Sequence, residues 1–169
     1  FKNAKHDTTR CNLLNLLVEE EPDEDIWPKY NLQLKELSQK NLKIYNANHP
    51  LHNFFLKHYA VSISNDGYFE LSNNDNEKAI KLLLESLTIQ EKINDKIGIS
   101  TTLSNLGSAH QNIGKVDIAL DMYKKSLKLS EEIDYKEGIA IAINNLGLLY
   151  SSIGEIDKAI DYFTKSLIM

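Results

Sequence analysis

In the last third of the chain, Ile139, Ile143, Leu146 and Tyr150 fall at i, i+4, i+7 and i+11, and so share one helix face. Ile156, Ala159, Ile160, Phe163 and Leu167 continue as a second apolar stripe. Gly154 lies between the stripes, where a helix end commonly takes a residue with φ > 0. Glu155 and Asp157 follow it, and acidic residues suit the positive end of a helix dipole. Only a few residues join the two helices, so they must run antiparallel. The pattern predicts a helical hairpin.

The hairpin recurs. Residues 99–129 align with 139–169 without a gap, and twelve of the 31 positions are identical. "SNLG" at 104–107 returns as "NNLG" at 144–147, with a weaker echo, "SNDG", at 64–67. Ala79, Ala119 and Ala159 keep the same interval of 40, as do Ser86, Ser126 and Ser166, and Gly98 and Gly138. A fixed period of this size marks a repeat array in which neighbours bury one another's apolar faces. Gly107 and Gly147 then lie mid-helix, where glycine costs roughly 1 kcal/mol against alanine. An offset is expected from close approach of the paired helix, with Gly67, Gly107 and Gly147 facing Ala79, Ala119 and Ala159.

Earlier units are less regular. The unit at 49–95 has Asp66 where the others have Leu106 and Leu146, Glu70 where the last has Tyr150, and Asn74 in place of a turn glycine. Its first helix is expected from near Pro50 to about Leu71, proline being favoured at a first helical position. Residues 1–48 read as a degenerate, cap-like hairpin. It comprises "DTTRCNLLNLL", capped by Asp7 or Thr8, an acidic loop broken at Pro22, and "WPKYNLQLKELSQKNLKIYN". The expected division is 1–48, 49–95, 96–134 and 135–169, the last unit cut at its C-terminal end. The chain opens on Phe1 and stops inside an apolar pattern at "SLIM", which reads as a fragment of something longer.

These features resemble the tetratricopeptide repeat in a form with a 40-residue period. The resemblance rests on Leu106, Gly107, Gly114, Ala119, Tyr123 and Ser126, and on Leu146, Gly147, Tyr150, Gly154, Ala159, Phe163 and Ser166. It implies an all-α, right-handed solenoid of antiparallel hairpins, with the first helix of each unit on the concave side. In that frame Asn65, Asn105 and Asn145 stand beside the groove, next to the small glycine. An Asn side chain donates and accepts, and so can pair both groups of one peptide unit. Similar arrays such as kinesin light chains use Asn at the matching place to bind peptides. The neighbouring positions expected to face inward include Ser64, Tyr68, Ser104, Ile141, Asn144 and Leu148, giving a polar but uncharged groove with apolar patches. Arrays that bind acidic chaperone C-termini carry Lys and Arg on the third inner helix. Ile141 and Asn145 occupy those places here, which argues against a carboxylate clamp.

Composition adds exclusions. The chain has 169 residues, 42% of them apolar and 25% charged, as in ordinary globular domains. A net charge of -5 and a single arginine, Arg10, argue against nucleic-acid binding, which needs clustered cations. The one cysteine, Cys11, sits in an apolar helical pattern and reads as a buried structural thiol. No apolar run approaches the roughly 20 residues of a membrane span. His49, His52 and His58 lack a metal-site pattern, and His110 stands at an aromatic position of the repeat, which suits packing. No nucleophile elbow, phosphate loop or dinucleotide fingerprint occurs. The expectation is therefore a non-catalytic module without cofactor, catalytic residue or metal, binding a protein or peptide in its groove. It would make no membrane contact of its own and could self-associate through the cut C-terminal face.

Two alternatives share this fold. The opening "KHDTTRCNLLNLLVEE" followed by the repeats resembles the N-terminal region of bacterial sensor histidine kinases, whose repeats lie outside the cytoplasm and whose kinase domain lies downstream. That resemblance implies a sensory segment in an extracytoplasmic setting; otherwise the module would be cytoplasmic. The other alternative, a peptide-pheromone receptor-type regulator, needs a helical effector domain before the repeats, and only 48 residues stand there.

Overall fold

The structure is a computed structural model that describes residues 6–21, 23 and 26–167. The expected breaker Pro22 and both chain ends, Phe1 and Met169, lie outside the described residues. Among the described residues eight helices follow one another: α1 (Asp7–Glu20), α2 (Trp27–Ile44), α3 (His52–Ser72), α4 (Asn76–Lys92), α5 (Lys96–Asn112), α6 (Val116–Glu132), α7 (Lys136–Ser152) and α8 (Ile156–Leu167). Among the described residues there is no strand. Each helix packs on the next, and α1 on α3, α3 on α5 and α5 on α7 touch as well. The odd-numbered helices therefore form one layer of the solenoid and the even-numbered ones the other.

The turns explain the regularity. Asn74, Asn94, Gly114, Asp134 and Gly154 all have positive φ, at steps of 20 residues. Gly, Asn and Asp are the residues that enter this region at least cost. Asn74 thus performs the turn that Gly114 and Gly154 perform. Between the turns, α4, α5, α6 and α7 are each 17 residues long. Asp75 and Asp95 cap α4 and α5 by accepting from the backbone N–H of Lys78 and Gly98. α1 departs from expectation, because it begins at Asp7 with His6 before it and no side-chain cap. The Asp7 carboxylate instead accepts from Arg10 at 3.3 Å and from Asn41 of α2 at 3.0 Å.

The core also corrects the expected glycine pairing. A Cβ on Gly107 would lie 2.5 Å from the Tyr123 ring, and one on Gly147 would lie 2.7 Å from the Phe163 ring. At Gly67 the nearest atom belongs to Leu83, with the Ala79 carbonyl at 3.4 Å. The glycines make room mainly for a large side chain one turn beyond the alanine, not for the alanine itself. The recurring serine gains a role as well. Ser86 Oγ donates to the Ala60 carbonyl and Ser126 Oγ to the Ser100 carbonyl, each at 2.7 Å, tying the second helix of each hairpin to its first.

The irregular second unit is paired rather than frayed. Asp66 accepts from Asn31 at 2.6 Å and from Lys35 at 2.7 Å, both on α2. Glu70 forms an ion pair with Lys78 of α4 at 2.6 Å. Cys11, Leu14, Leu34 and Phe55 form the N-terminal core, and the thiol lies 3.8 Å from Ser38 Oγ. Burial pushes its pKa up to about 11, which suits an inert structural cysteine.

Candidate functional site

The odd-numbered helices enclose a cavity of about 580 Å³. α1 contributes Asn15, Glu19 and Glu20 to it, and α3 contributes Lys57, Val61, Ser64 and Asn65. From α5 come Ile97, Gly98 and Thr101, and from α7 Glu137 and Ile141. Gln90 and the turn residues Asp95 and Tyr135 complete the wall. Val61, Thr101 and Ile141 are 40 residues apart, as are Lys57, Ile97 and Glu137 one helical turn earlier. The groove therefore follows the repeat, as positions on one face of successive helices must.

Of the expected site residues, Ser64, Asn65 and Ile141 line this cavity. Asn105 and Asn145 are half-buried, one turn beyond Thr101 and Ile141, and neither side chain pairs with a described residue. Tyr68, Asn144 and Leu148 are exposed. Asn65 differs from its counterparts, since its Nδ2 donates to Asn31 Oδ1 at 3.0 Å. Two expected groove residues are committed inside the fold. Ser64 is buried and lies 3.2 Å from Thr102 Oγ1, and Ser104 is buried and lies 2.9 Å from Ser126 Oγ. One residue is about 100° round a helix, so the position just before each Asn meets the packed neighbour, and Ser64 does so while still edging the cavity. Asn144 escapes this because no described helix covers it.

The groove is charged, which corrects the expectation of an uncharged one. Glu19, Glu20, Asp95 and Glu137 line it together with Lys57. Lys57 Nζ lies 3.2 Å from Asp95 Oδ1. Burial raises the pKa of the Tyr135 phenol, and Glu137 and Glu19 add to the shift. Extending the repeat face one turn toward the N-terminus would have found Lys57 and Glu137. No sequence signal pointed to α1, because its unit is too degenerate to align.

Three of the five histidines are tied into the fold. His49 Nδ1 accepts from the Leu51 backbone N–H, His52 Nδ1 lies 2.9 Å from the Tyr45 carbonyl, and His58 Nε2 lies 3.1 Å from Asn12 Oδ1. Among the described residues no group of three or more His, Cys, Asp or Glu could hold a metal ion, and no helix is long and apolar enough to cross a membrane.

A family model described as tetratricopeptide repeat matches residues 62–132 and again 98–167. The chain belongs to the tetratricopeptide repeat family. Repeats of this family generally mediate contacts between proteins. No curated protein matches the sequence. Solved structures show the tetratricopeptide repeat fold at low identity. Aspartyl phosphate phosphatase F from Bacillus subtilis is 17% identical with a TM-score of 0.75, over 98% of this chain and 41% of that one. The chain thus spans about two fifths of that protein's length. The TPR domain of Arabidopsis FLU is 22% identical with a TM-score of 0.62, over 67% of this chain and 95% of that one. A putative kinesin light chain from Podosopora anserina with nearly identical TPR-like repeats is 12% identical with a TM-score of 0.55, over 98% and 96%. The all-α solenoid of hairpins read from the tetratricopeptide pattern is thereby established.

Proposed function

We propose that the chain is a non-catalytic interaction module that holds an extended protein segment in the groove between α1, α3, α5 and α7. The observation that carries this is the unbroken groove across four successive first helices, with Asn105 and Asn145 beside it and unpaired within the fold. Each could pair both groups of one peptide unit. Asn65 spends one of its two N–H donors on Asn31 and keeps its oxygen and the other N–H. The test is calorimetric titration with peptides selected from a random heptapeptide display library. Asn105→Ala and Asn145→Ala should each weaken binding by roughly 1–3 kcal/mol, the cost of leaving a buried polar group unpaired, with melting unchanged. Wild-type affinity in both variants would end the ladder.

A second reading places the same groove in a regulatory segment of a larger signalling protein. It is supported by the resemblance to sensor-kinase repeat regions and by the fold match to part of aspartyl phosphate phosphatase F. The sequence of the complete gene separates the two. The exposed face of α7 and α8 further supports self-association of the chain, with a second copy as the occupant.

A further inference from the structure

Three buried acceptors in the groove have no partner: Asn15 Oδ1, Gln90 Oε1 and Asp95 Oδ2. Gln90 is only 1% exposed, and the Asp95 side chain only 8%. Buried polar atoms in folded proteins are nearly always paired, and an unpaired one costs its desolvation. Asp95 is the decisive member, because a carboxylate oxygen is an acceptor whichever way the Gln90 amide is turned. Lys57 satisfies Oδ1 and leaves Oδ2 unmet. A Cβ on Gly98 would lie 2.7 Å from Asp95 Oδ2 and 2.9 Å from Gln90 Nε2, so the two side chains sit together at one point of the wall. Gln90 Nε2 stands on that side but makes no bond to Asp95 Oδ2, so the carboxylate oxygen still lacks a donor.

Charge points the same way. Glu19, Glu20 and Glu137 stand round the groove, and Lys57 is its one basic lining residue among those described. A cleft lined by one sign of charge concentrates ligands of the other. Phosphate-bearing and acidic segments meet repulsion here. We propose, resting on the groove reading above, that the bound segment carries a Lys or Arg side chain whose N–H donors reach Asp95 Oδ2 and Gln90 Oε1. The Asn side chains hold the backbone, and Asp95 with Gln90 selects one cationic residue along it.

The experiment selects random heptapeptides by display on the intact chain and on Asp95→Asn. Asn caps a helix about as well as Asp, so the variant keeps α5, and a melting curve checks this. Lys or Arg should be enriched at one position on the wild type and lose that enrichment on Asp95→Asn. A selected peptide should bind Asp95→Asn roughly tenfold more weakly, as expected for a lost charge-assisted hydrogen bond. Its affinity should fall as salt rises from about 50 to about 500 mM. Glu19→Gln with Glu137→Gln alters only the exposed mouth, should cost a few-fold and should flatten the salt dependence. Asp121→Asn, on the exposed side of α6, should change nothing. Selected peptides without a cation, or wild-type affinity in both groove variants, overturn the cationic partner and leave the groove standing. No selected peptide at all overturns both.

Discussion

Tyr123 occupies the space that Gly107 leaves, at 2% exposure, and its hydroxyl is held by Ser108 at 3.1 Å and Gln111 at 3.0 Å. That ring has nowhere to go. Gly107→Ala should therefore destabilise the fold by about 1–3 kcal/mol, in the range for overpacking a filled core. Gly147→Ala should cost less, because Phe163 is only half-buried and can swing aside. Urea unfolding midpoints of the two variants give the order, and equal costs would refute it. The sequence displays the interval of the glycines but not their partner, which sits on another helix at an offset that no period specifies. A second residue-scale expectation concerns His58, whose pKa burial lowers to about 4, with Lys57 adding to the shift. Its Nδ1 has no partner, and its ring meets Phe54 at 4.6 Å. The unfolded chain binds the proton more readily, so stability is present above pH ~6.5 and is lost as pH falls toward about 4. His58→Gln should remove that part of the acid sensitivity, read as a smaller drop in melting temperature between pH 7 and pH ~4.5 than in the wild type. An identical pH profile would count against it.

At the scale of elements, the helices and their antiparallel order were legible because apolar positions recur with helical spacing and short turns leave one topology. The positive-φ residues at every twentieth position were only half legible. Gly114 and Gly154 signal a turn by type, whereas Asn74, Asn94 and Asp134 do the same work with residues that are common elsewhere. The departures in α3 have a physical account in the preceding hairpin. Asp66 replaces a core leucine because Asn31, fully buried on α2, and Lys35 require an acceptor. Asp66→Leu restores the repeat pattern, yet it should lower stability by about 1–3 kcal/mol by leaving Asn31 and Lys35 short of a partner. Pairing it with Asn31→Leu should recover part of the loss, since removing both partners is far less costly than removing one. Thermal melts of the single and double variants decide it, and a stabilised single variant would refute the account.

At the scale of the whole molecule, stacking decides which faces are wet. The groove's shape was legible from the period, but its charge was not, because it comes partly from α1 and from the turns at Asp95 and Tyr135. The opposite case is the face that α7 and α8 present to solvent. Ser86 and Ser126 are 0% exposed under the following hairpin, while Ser166 is half-exposed. Ala60 and Ser100 are buried, while Ala140 at the same position is exposed. Leu148 is 50% and Ile160 56% exposed. Full burial of one such side chain contributes about 1.5–3 kcal/mol, so covering this face is favourable. The cover that fits is a hairpin of the same kind, and for these 169 residues on their own a second copy provides it. Sedimentation should show mass rising with concentration, and Ile160→Lys or Leu148→Glu should hold the chain monomeric with unchanged helicity. Ile160 stands on α8 and does not line the cavity that holds Asp95, so peptide binding should persist in Ile160→Lys. A wild type that stays monomeric at every concentration would leave this face without the partner assigned to it.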